Sequence, residues 1–427
     1  MSVRVPFLDL AAQLETTRPE IERAVLDVIA SGRYVGGAVL EAFEQAMADH
    51  IGVDHAVGVS SGTDALLVSL MALDVGPGDL VVTTPYSFFA TAGAVARLGA
   101  TPVFIDIEPR TFNIDPACLG DWFEREPVRR SRVKAIVPVH LFGQCADMAP
   151  ILKLAAEHEI PVVEDAAQAL GARYPDIGPG GSSGGARGGS RRGAGGSYVS
   201  AGGHDGRPAG SSTVGGSQRV EAGGHRDRPA GSMGTLSCFS FYPTKNLGAM
   251  GDAGLVVTAD ADLAERVRRL RNHGGRTAYE HPEVGGNFRL DTLQAAILAA
   301  KLPHLDGWHA RRRERAVYYD EHLAVPGADL PTPAWGRERH TYHQYVIHVP
   351  DRRDELRAHL AERQIDTMIY YPVPLHRQPC FHHLGHAAGA FPYCEDAASR
   401  SLALPIYPEL PSAMQDRVIE EIAAFYR

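Results

Sequence analysis

The stretch F-S-F-Y-P-T-K-N-L-G (residues 239–248) sets Lys245 in a turn of Pro, Gly and aromatic residues directly after an apolar run. Upstream, V-V-E-D-A-A-Q-A-L (162–170) ends another apolar run on an acid, Asp165, 80 positions before the lysine. An amine held in an apolar turn is a nucleophile for a carbonyl, and a carboxylate at a strand end is costly to bury unless a cation meets it. Short apolar runs of the same kind recur at 55–60, 80–84, 102–107, 135–140, 161–165, 236–241 and 255–258. Helix-spaced patterns at 64–73, 90–98 and 150–157 lie between them, so the alternation predicts successive parallel strands covered on both faces. The expected fold class is α/β, with a large doubly wound, mainly parallel sheet domain over residues 1–300. After Lys301 a charged helix, W-H-A-R-R-R-E-R-A-V-Y-Y-D (308–320), and a strand at 345–349 predict a smaller C-terminal α+β domain over residues 301–427. In doubly wound sheets ligands gather at the carboxyl ends of strands, where Ser61, Asp165 and Lys245 fall.

Composition narrows the function classes. A chain of 427 residues, 44% hydrophobic and 22% charged, is that of a globular protein with room for two domains. A formal net charge of -9 argues against nucleic acid as the partner. The five cysteines are scattered and odd in number, so neither a disulfide framework nor a metal site is expected. No stretch approaches the ~20 apolar residues of a membrane helix, and the start M-S-V-R-V-P-F-L-D-L lacks a leader's apolar core. A cytoplasmic protein free of the membrane is the expectation.

One segment breaks the alternation. Of the 58 residues 175–232, 19 are glycine, and large apolar side chains are almost absent. Such a segment, 175–224 above all, cannot bury enough surface to offset ordering entropy and is expected to be a disordered insertion. Within it A-G-G-H-D-G-R-P-A-G-S (201–211) returns as A-G-G-H-R-D-R-P-A-G-S (222–232), identical at 9 of 11 positions. A local sequence expansion in a surface loop accounts for this. The alternative, a flexible arginine-bearing arm for anionic ligands, is weakened by Asp176, Asp205, Glu221 and Asp227.

Four stretches assemble a site. In V-G-V-S-S-G-T-D-A-L (57–66), Ser61, Gly62 and Thr63 join a strand to a helix, where free N–H groups and the helix dipole suit a phosphate; a plain helix cap is the other reading. In T-P-Y-S-F-F-A-T (84–91), Phe88 is the aromatic chosen to stack on a flat heteroaromatic ring. Asp165 would pair with a pyridinium, Gln168 would donate to the ring oxygen, and Glu164 would point to the other face of its strand. Ser240, before the lysine, would donate to the phosphate. A lysine for a Schiff base, an acid for a ring nitrogen and a phosphate turn are together what pyridoxal 5'-phosphate (PLP) chemistry requires.

S-S-G-T-D-A-L, P-Y-S-F-F-A-T, E-D-A-A-Q-A-L-G-A and C-F-S-F-Y-P-T-K-N-L-G, with G-Q-C-A-D-M (143–148), G-G-N-F-R-L-D-T-L-Q-A-A-I-L (285–298), Y-Y-P-V-P-L-H-R-Q-P (370–379) and L-P-I-Y-P-E-L (404–410), resemble the DegT/StrS family of PLP-dependent sugar-nucleotide aminotransferases. The resemblance spans the chain apart from the glycine-rich segment. It implies a type I PLP-dependent transferase fold, like that of aspartate aminotransferase, and a homodimer with shared active sites. It makes Lys245 the Schiff-base lysine, Asp165 the pyridine partner, Gln168 a ring-oxygen contact and Gly62, Thr63 and Ser240 phosphate contacts. Asn287 would reach the phosphate of the partner's cofactor, and Tyr34 and His376 would contact substrate or dimer mate. The implied reaction moves an amino group from L-glutamate to a keto group of a nucleoside-diphosphate-linked sugar. A cyclitol aminotransferase, a PLP-dependent sugar dehydratase and a non-catalytic regulatory paralogue are the alternatives. The dehydratases carry histidine where Lys245 stands, and loss of catalysis would be expected to relax Lys245 or Asp165. The departure from the family is the insertion: the resemblance implies that in relatives a segment like G-A-R-Y (171–174) runs almost directly into one like R-D-R-P-A-G-S-M-G (226–234), so about 50 residues here are extra.

Overall fold

The computed structural model describes residues 4–176, 227–277 and 279–427. The glycine-rich segment, and with it the expectation of disorder and the arginine arm, lies outside the described residues. The stretches up to Tyr174 and from Asp227 onward form one compact unit.

The strands are β1 (His55–Val59), β2 (Leu80–Thr83), β3 (Thr101–Phe104), β4 (Val133–Ile136), β5 (Val163–Asp165), β6 (Arg173–Tyr174), β7 (Arg228–Pro229), β8 (Leu236–Ser240), β9 (Gly254–Thr258), β10 (Tyr345–His348) and β11 (Ser401–Leu404). Parallel pairing orders β3-β2-β4, and a second sheet runs β1-β9-β8-β5. Parallel bridges Ile136–Val162 and Val139–Asp165 join the two at β4 and β5. The α/β, doubly wound, mainly parallel class is therefore as the sequence predicts, with one correction. β9 pairs antiparallel with both β8 and β1. The short return from Ser240 to Gly254 has no crossover helix, and without one a strand can only come back antiparallel.

Helices α2 (Ala38–Ile51), α3 (Gly62–Ala72) and α4 (Ala90–Arg97) pack against these strands, and α1 (Leu10–Ser31) packs on the helix Thr292–Lys301. In α3 the apolar residues fall on every side, and Ala65, Leu66, Leu67, Val68, Leu70 and Ala72 are all buried. A helix apolar all round belongs inside a core, here against β8, β9 and α4. Truncating fully buried Leu70 to alanine would cost about 2–5 kcal/mol. The consequence for the site is a helix N-terminus that cannot move independently of the sheet.

A second core forms around antiparallel β10 and β11, with Tyr319, Tyr345, Leu356, Leu360, Leu404, Val418 and Ile422 buried in it. The N-terminal segment contributes to this core rather than to the large sheet: Val5 N–H donates to Gln364 O and Asp366 N–H donates to Val5 O. Among the described residues, no helix is long and apolar enough to cross a membrane.

Candidate active site

A cavity of about 500 Å³ opens where β1, β5 and β8 end, and its wall brings together Ser61, Gly62, Thr63, Phe88, Asp165, Gln168, Ser240 and Lys245. These sequence-predicted residues come from four separate stretches, and the sheet order explains the convergence. β5 and β8 are hydrogen-bonded neighbours, with Asp165 opposite Cys238, so 80 positions of sequence become adjacent strand ends. The chain leaving β5 returns through the two-residue pairing of β6 with β7, which closes the excursion before β8 begins.

The phosphate-type turn is built on close approach. A Cβ on Gly62 would sit 2.5 Å from Ser240 Cβ, and one on Gly254 would sit 2.3 Å from Ser61 O, so both positions need glycine. Helix geometry leaves the Gly62 and Thr63 N–H groups without intrahelical partners at the cavity wall. Ser61 lines the cavity and also makes the bonds of a helix cap. Its Oγ accepts from Asp64 N–H at 3.0 Å and donates to Asp64 Oδ2 at 3.0 Å, while Ser60 Oγ donates to the same carboxylate at 2.6 Å. The hydroxyl of Ser61 thus caps the helix, beside N–H groups that are open to an anion.

Asp165 is buried. Its Oδ2 accepts from Thr91 Oγ1 at 2.7 Å and its Oδ1 from Ala167 N–H at 3.3 Å. Because the Thr91 proton points at the carboxylate, Ser87 Oγ, 2.8 Å away, donates to Thr91. Burial raises the Asp165 pKa from its ordinary value despite the Thr91 bond, the Ala167 N–H and the Lys245 charge. A carboxylate held in that condition calls for a nearby cation. Lys245 sits in the turn after β8, its N–H donating to Tyr242 O at 2.8 Å. Burial lowers its ammonium to a pKa of about 8, with Asp165 opposing. The amine is consequently closer to its nucleophilic form at neutral pH than a surface lysine.

Gln168 is locked at both ends of its amide: Oε1 accepts from Phe142 N–H at 2.8 Å and Nε2 donates to the Tyr371 hydroxyl at 2.8 Å. Phe88 is 58% exposed and its ring lies 6.5 Å from that of Tyr371. Three predicted residues do not join this cavity. Tyr34 is 49% exposed and Asn287 is exposed, both away from it. His376 is 1% exposed, with Nε2 3.1 Å from Glu395 Oε1, and does not line this cavity. Its short helical turn packs it against Phe391.

Sequence reasoning missed several contributors. Thr91 lies inside the quoted P-Y-S-F-F-A-T run but received no role, although a hydroxyl one helical turn after Ser87 was a readable signal. Tyr370, Tyr371, His343 and Gln344 also line the cavity. Glu164, on the other face of β5 as expected, turns out to be the most heavily bonded acid of this region. Its Oε2 lies 2.7 Å from His140 Nε2 and accepts from Gly231 N–H at 2.9 Å. Its Oε1 accepts from Met233 N–H at 2.7 Å, Gly234 N–H at 2.5 Å and Ser237 Oγ at 3.0 Å. His140 Nδ1 accepts from Ala146 N–H, which leaves Nε2 to carry the proton toward Glu164. One carboxylate therefore gathers the segment that follows the insertion onto the strand bearing Asp165.

The residues fit PLP. A phosphate has the α3 N-terminus and the Gly62 gap, a ring nitrogen has the cation-seeking Asp165, and an aldehyde has Lys245.

Comparison with known proteins agrees. The model of the DegT/DnrJ/EryC1/StrS aminotransferase family matches residues 15–193 and 213–423. A "Pleiotropic regulatory protein" of Geobacillus stearothermophilus is 42% identical over 428 residues, covering 100% of this chain and 99% of the relative. The dTDP-3-amino-3,4,6-trideoxy-alpha-D-glucose transaminase of Streptomyces venezuelae is 40% identical over 420 residues, covering 98% of this chain and 95% of the relative. The crystal structure of S. venezuelae DesV in complex with a ketimine intermediate superposes with a TM-score of 0.82 at 38% identity, covering 99% of both chains. With a family match over nearly its whole length, and Lys245 and Asp165 facing one cavity, the chain belongs to the DegT/DnrJ/EryC1/StrS aminotransferase family and is an enzyme of that class.

Proposed function

We propose that the protein uses PLP to transfer an amino group from L-glutamate to a keto group of a nucleoside-diphosphate-linked sugar, giving an amino sugar nucleotide and 2-oxoglutarate. The observation that carries the reading is the meeting of Lys245 and Asp165 in a cavity walled by the α3 N-terminus. Gly62 and Thr63 N–H groups and Ser240 would hold the phosphate, Asp165 the ring nitrogen, Gln168 the ring oxygen, Phe88 the ring face and Lys245 the aldehyde. When bound, the cofactor supplies an aldehyde that captures amines and a ring that accepts an electron pair.

The chain's own residues do the rest. Lys245 Nζ would hold the aldehyde and, when released from it, would serve as the group that takes up and returns the proton, a role suited to an amine with a pKa of about 8. Asp165 would face the ring nitrogen and keep it protonated, and Thr91 fixes the carboxylate that would do so. Tyr371 and Phe142 hold Gln168 in one orientation, so its amide contributes a positioned donor at little entropic cost.

The homodimer belongs to this proposal. Tyr34 and Asn287, exposed and absent from the wall of their own cavity, support a reading in which they serve a second copy, and exposed Phe88 and Tyr242 offer apolar surface at the cavity. A cytoplasmic setting accords with five free thiols. A regulatory reading is favoured by the name of the Geobacillus relative, and retention of Lys245 and Asp165 weighs against it. The test is product mass after incubating the protein and L-glutamate with a panel of keto-sugar nucleotides. An aminated nucleotide sugar supports the proposal, and a Lys245→Ala protein turning over at the normal rate overturns it.

A further inference from the structure

A cavity of about 60 Å³ lies beside the active site. It is several times the ~10–15 Å³ that one water needs, which is room for a carboxylate group. Thr244, His343, Gln344 and Tyr370 line both this cavity and the larger one, so the two share a wall next to Lys245. Its cation is Arg312, which is 3% exposed. Leu8 contributes to an apolar side.

Arg312 has an uncommon set of partners for a buried guanidinium. Nη1 donates to three carbonyls, Tyr342 O at 3.3 Å, His343 O at 3.3 Å and Ile406 O at 2.8 Å. Nε is buried without a partner. Among the described residues no carboxylate lies within ion-pair distance of Arg312; Glu409, the acid that acts on it from further away, has Arg311 at 3.7 Å. Carbonyl dipoles stabilise a guanidinium only in part, and a buried charge lacking an opposite charge costs several kcal/mol. Burial lowers the Arg312 pKa only to about 10, so the group stays charged at neutral pH. His343 is held neutral by burial and by the charges of Lys245 and Arg312, and its Nδ1 lies 2.9 Å from Asn246 Oδ1. The cationic character of the pocket therefore comes from Arg312.

We propose that this side pocket is a carboxylate subsite, in which Arg312, helped by Thr244 and Gln344, receives a carboxylate of the amino donor. The proposal rests on the transaminase reading above and adds to it the feature by which the donor is recognised. A carboxylate one wall away from Lys245 would neutralise the buried guanidinium and place the donor's amine in the larger cavity.

The experiment follows the spectrum of the PLP-loaded enzyme as L-glutamate, L-alanine or propylamine is titrated in the absence of sugar, for the wild type, Arg312→Gln and Leu8→Phe. Arg312→Gln removes the charge; Leu8→Phe fills the pocket from its apolar side with Arg312 in place, and thermal melting reports folding of each. The expected result is an apparent Kd for L-glutamate raised roughly tenfold to a hundredfold in both variants, the loss that follows removal of a hydrogen bond to a charged group. Propylamine, which has no carboxylate, should respond equally to all three proteins. A glutamate Kd unchanged in folded Leu8→Phe or folded Arg312→Gln overturns the subsite while leaving the transaminase reading intact. An unchanged glutamate Kd accompanied by weakened binding of UDP-glucuronate assigns the pocket to a sugar acid and overturns the donor assignment. A wild type whose spectrum responds to no amine overturns both readings.

Discussion

Replacing Glu164 by glutamine tests how the strand carrying Asp165 is held. The carboxylate meets five donors, with His140 Nε2 and Gly231 N–H at Oε2 and Met233 N–H, Gly234 N–H and Ser237 Oγ at Oε1. An amide offers one acceptor oxygen. Turned to cost least, it sets its NH₂ against the two donors at Oε2, and His140 cannot relieve the conflict by shifting its proton without losing the Ala146 N–H bond at Nδ1. Two buried donors without acceptors, at about 1–3 kcal/mol each, give a loss of about 2–6 kcal/mol. The sign with pH follows from the direction of the Glu164 pKa. Burial pushes it up, but the His140 bond and charge and the Gly231 and Gly234 N–H groups outweigh burial and hold it below 4.5. A carboxyl depressed on folding contributes stability that is complete above its unfolded value and is lost as pH falls through the folded one. The difference between wild type and Glu164→Gln should accordingly be full at neutral pH and shrink below pH 4.5. Urea unfolding of both proteins across that range is the assay. A difference under about 1 kcal/mol at neutral pH, the size of one ordinary neutral hydrogen bond, or one that persists unchanged into acid, would refute the account of this carboxylate.

Other expectations are as direct. Gly62→Ala would drive a methyl into Ser240 Cβ at 2.5 Å and should weaken PLP binding by at least about tenfold with the fold retained, as read by cofactor titration and far-ultraviolet dichroism. Thr91→Val removes the shortest hydrogen bond to Asp165 and should raise the PLP dissociation constant by roughly tenfold to a hundredfold; an unchanged constant would remove Thr91 from the site. Lys245→Met should stabilise the cofactor-free protein at neutral pH, because burial lowers the lysine to about 8 and its charge is a liability below that value. That advantage should fade as pH rises from 8 toward 10.5, where the wild-type amine is already neutral in the folded state, and thermal melting against pH measures it.

The fold class was legible because the apolar runs had strand length and the intervening segments had helical spacing, and Lys245 and Asp165 were legible because an amine and an acid at strand ends are chemically conspicuous. Antiparallel β9 was not, since strand direction depends on whether the connection carries a crossover, and the turn at 248–254 suggested only tightness. Ser61 shows a limit of another sort: a serine before a helix reads both as a cap and as a phosphate donor, and the bonds it makes with Asp64, three residues later, are those of the cap. His376 reads as a site histidine in P-L-H-R-Q-P, yet Glu395, 19 positions away, claims its Nε2. Arg312 was hidden for the opposite reason. In W-H-A-R-R-R-E-R it is one of a charged run, and only tertiary packing singles out the arginine that turns inward.

The chain has four lysines, Lys134, Lys153, Lys245 and Lys301, which makes one measurement decisive. Borohydride reduction of the PLP-loaded protein, followed by peptide mass mapping, should place a pyridoxyl group on the peptide carrying Lys245, and prior treatment with L-glutamate should abolish that label. A label on another lysine, or one on Lys245 that survives glutamate, would contradict the assignment of this cavity as the site of amino-group transfer.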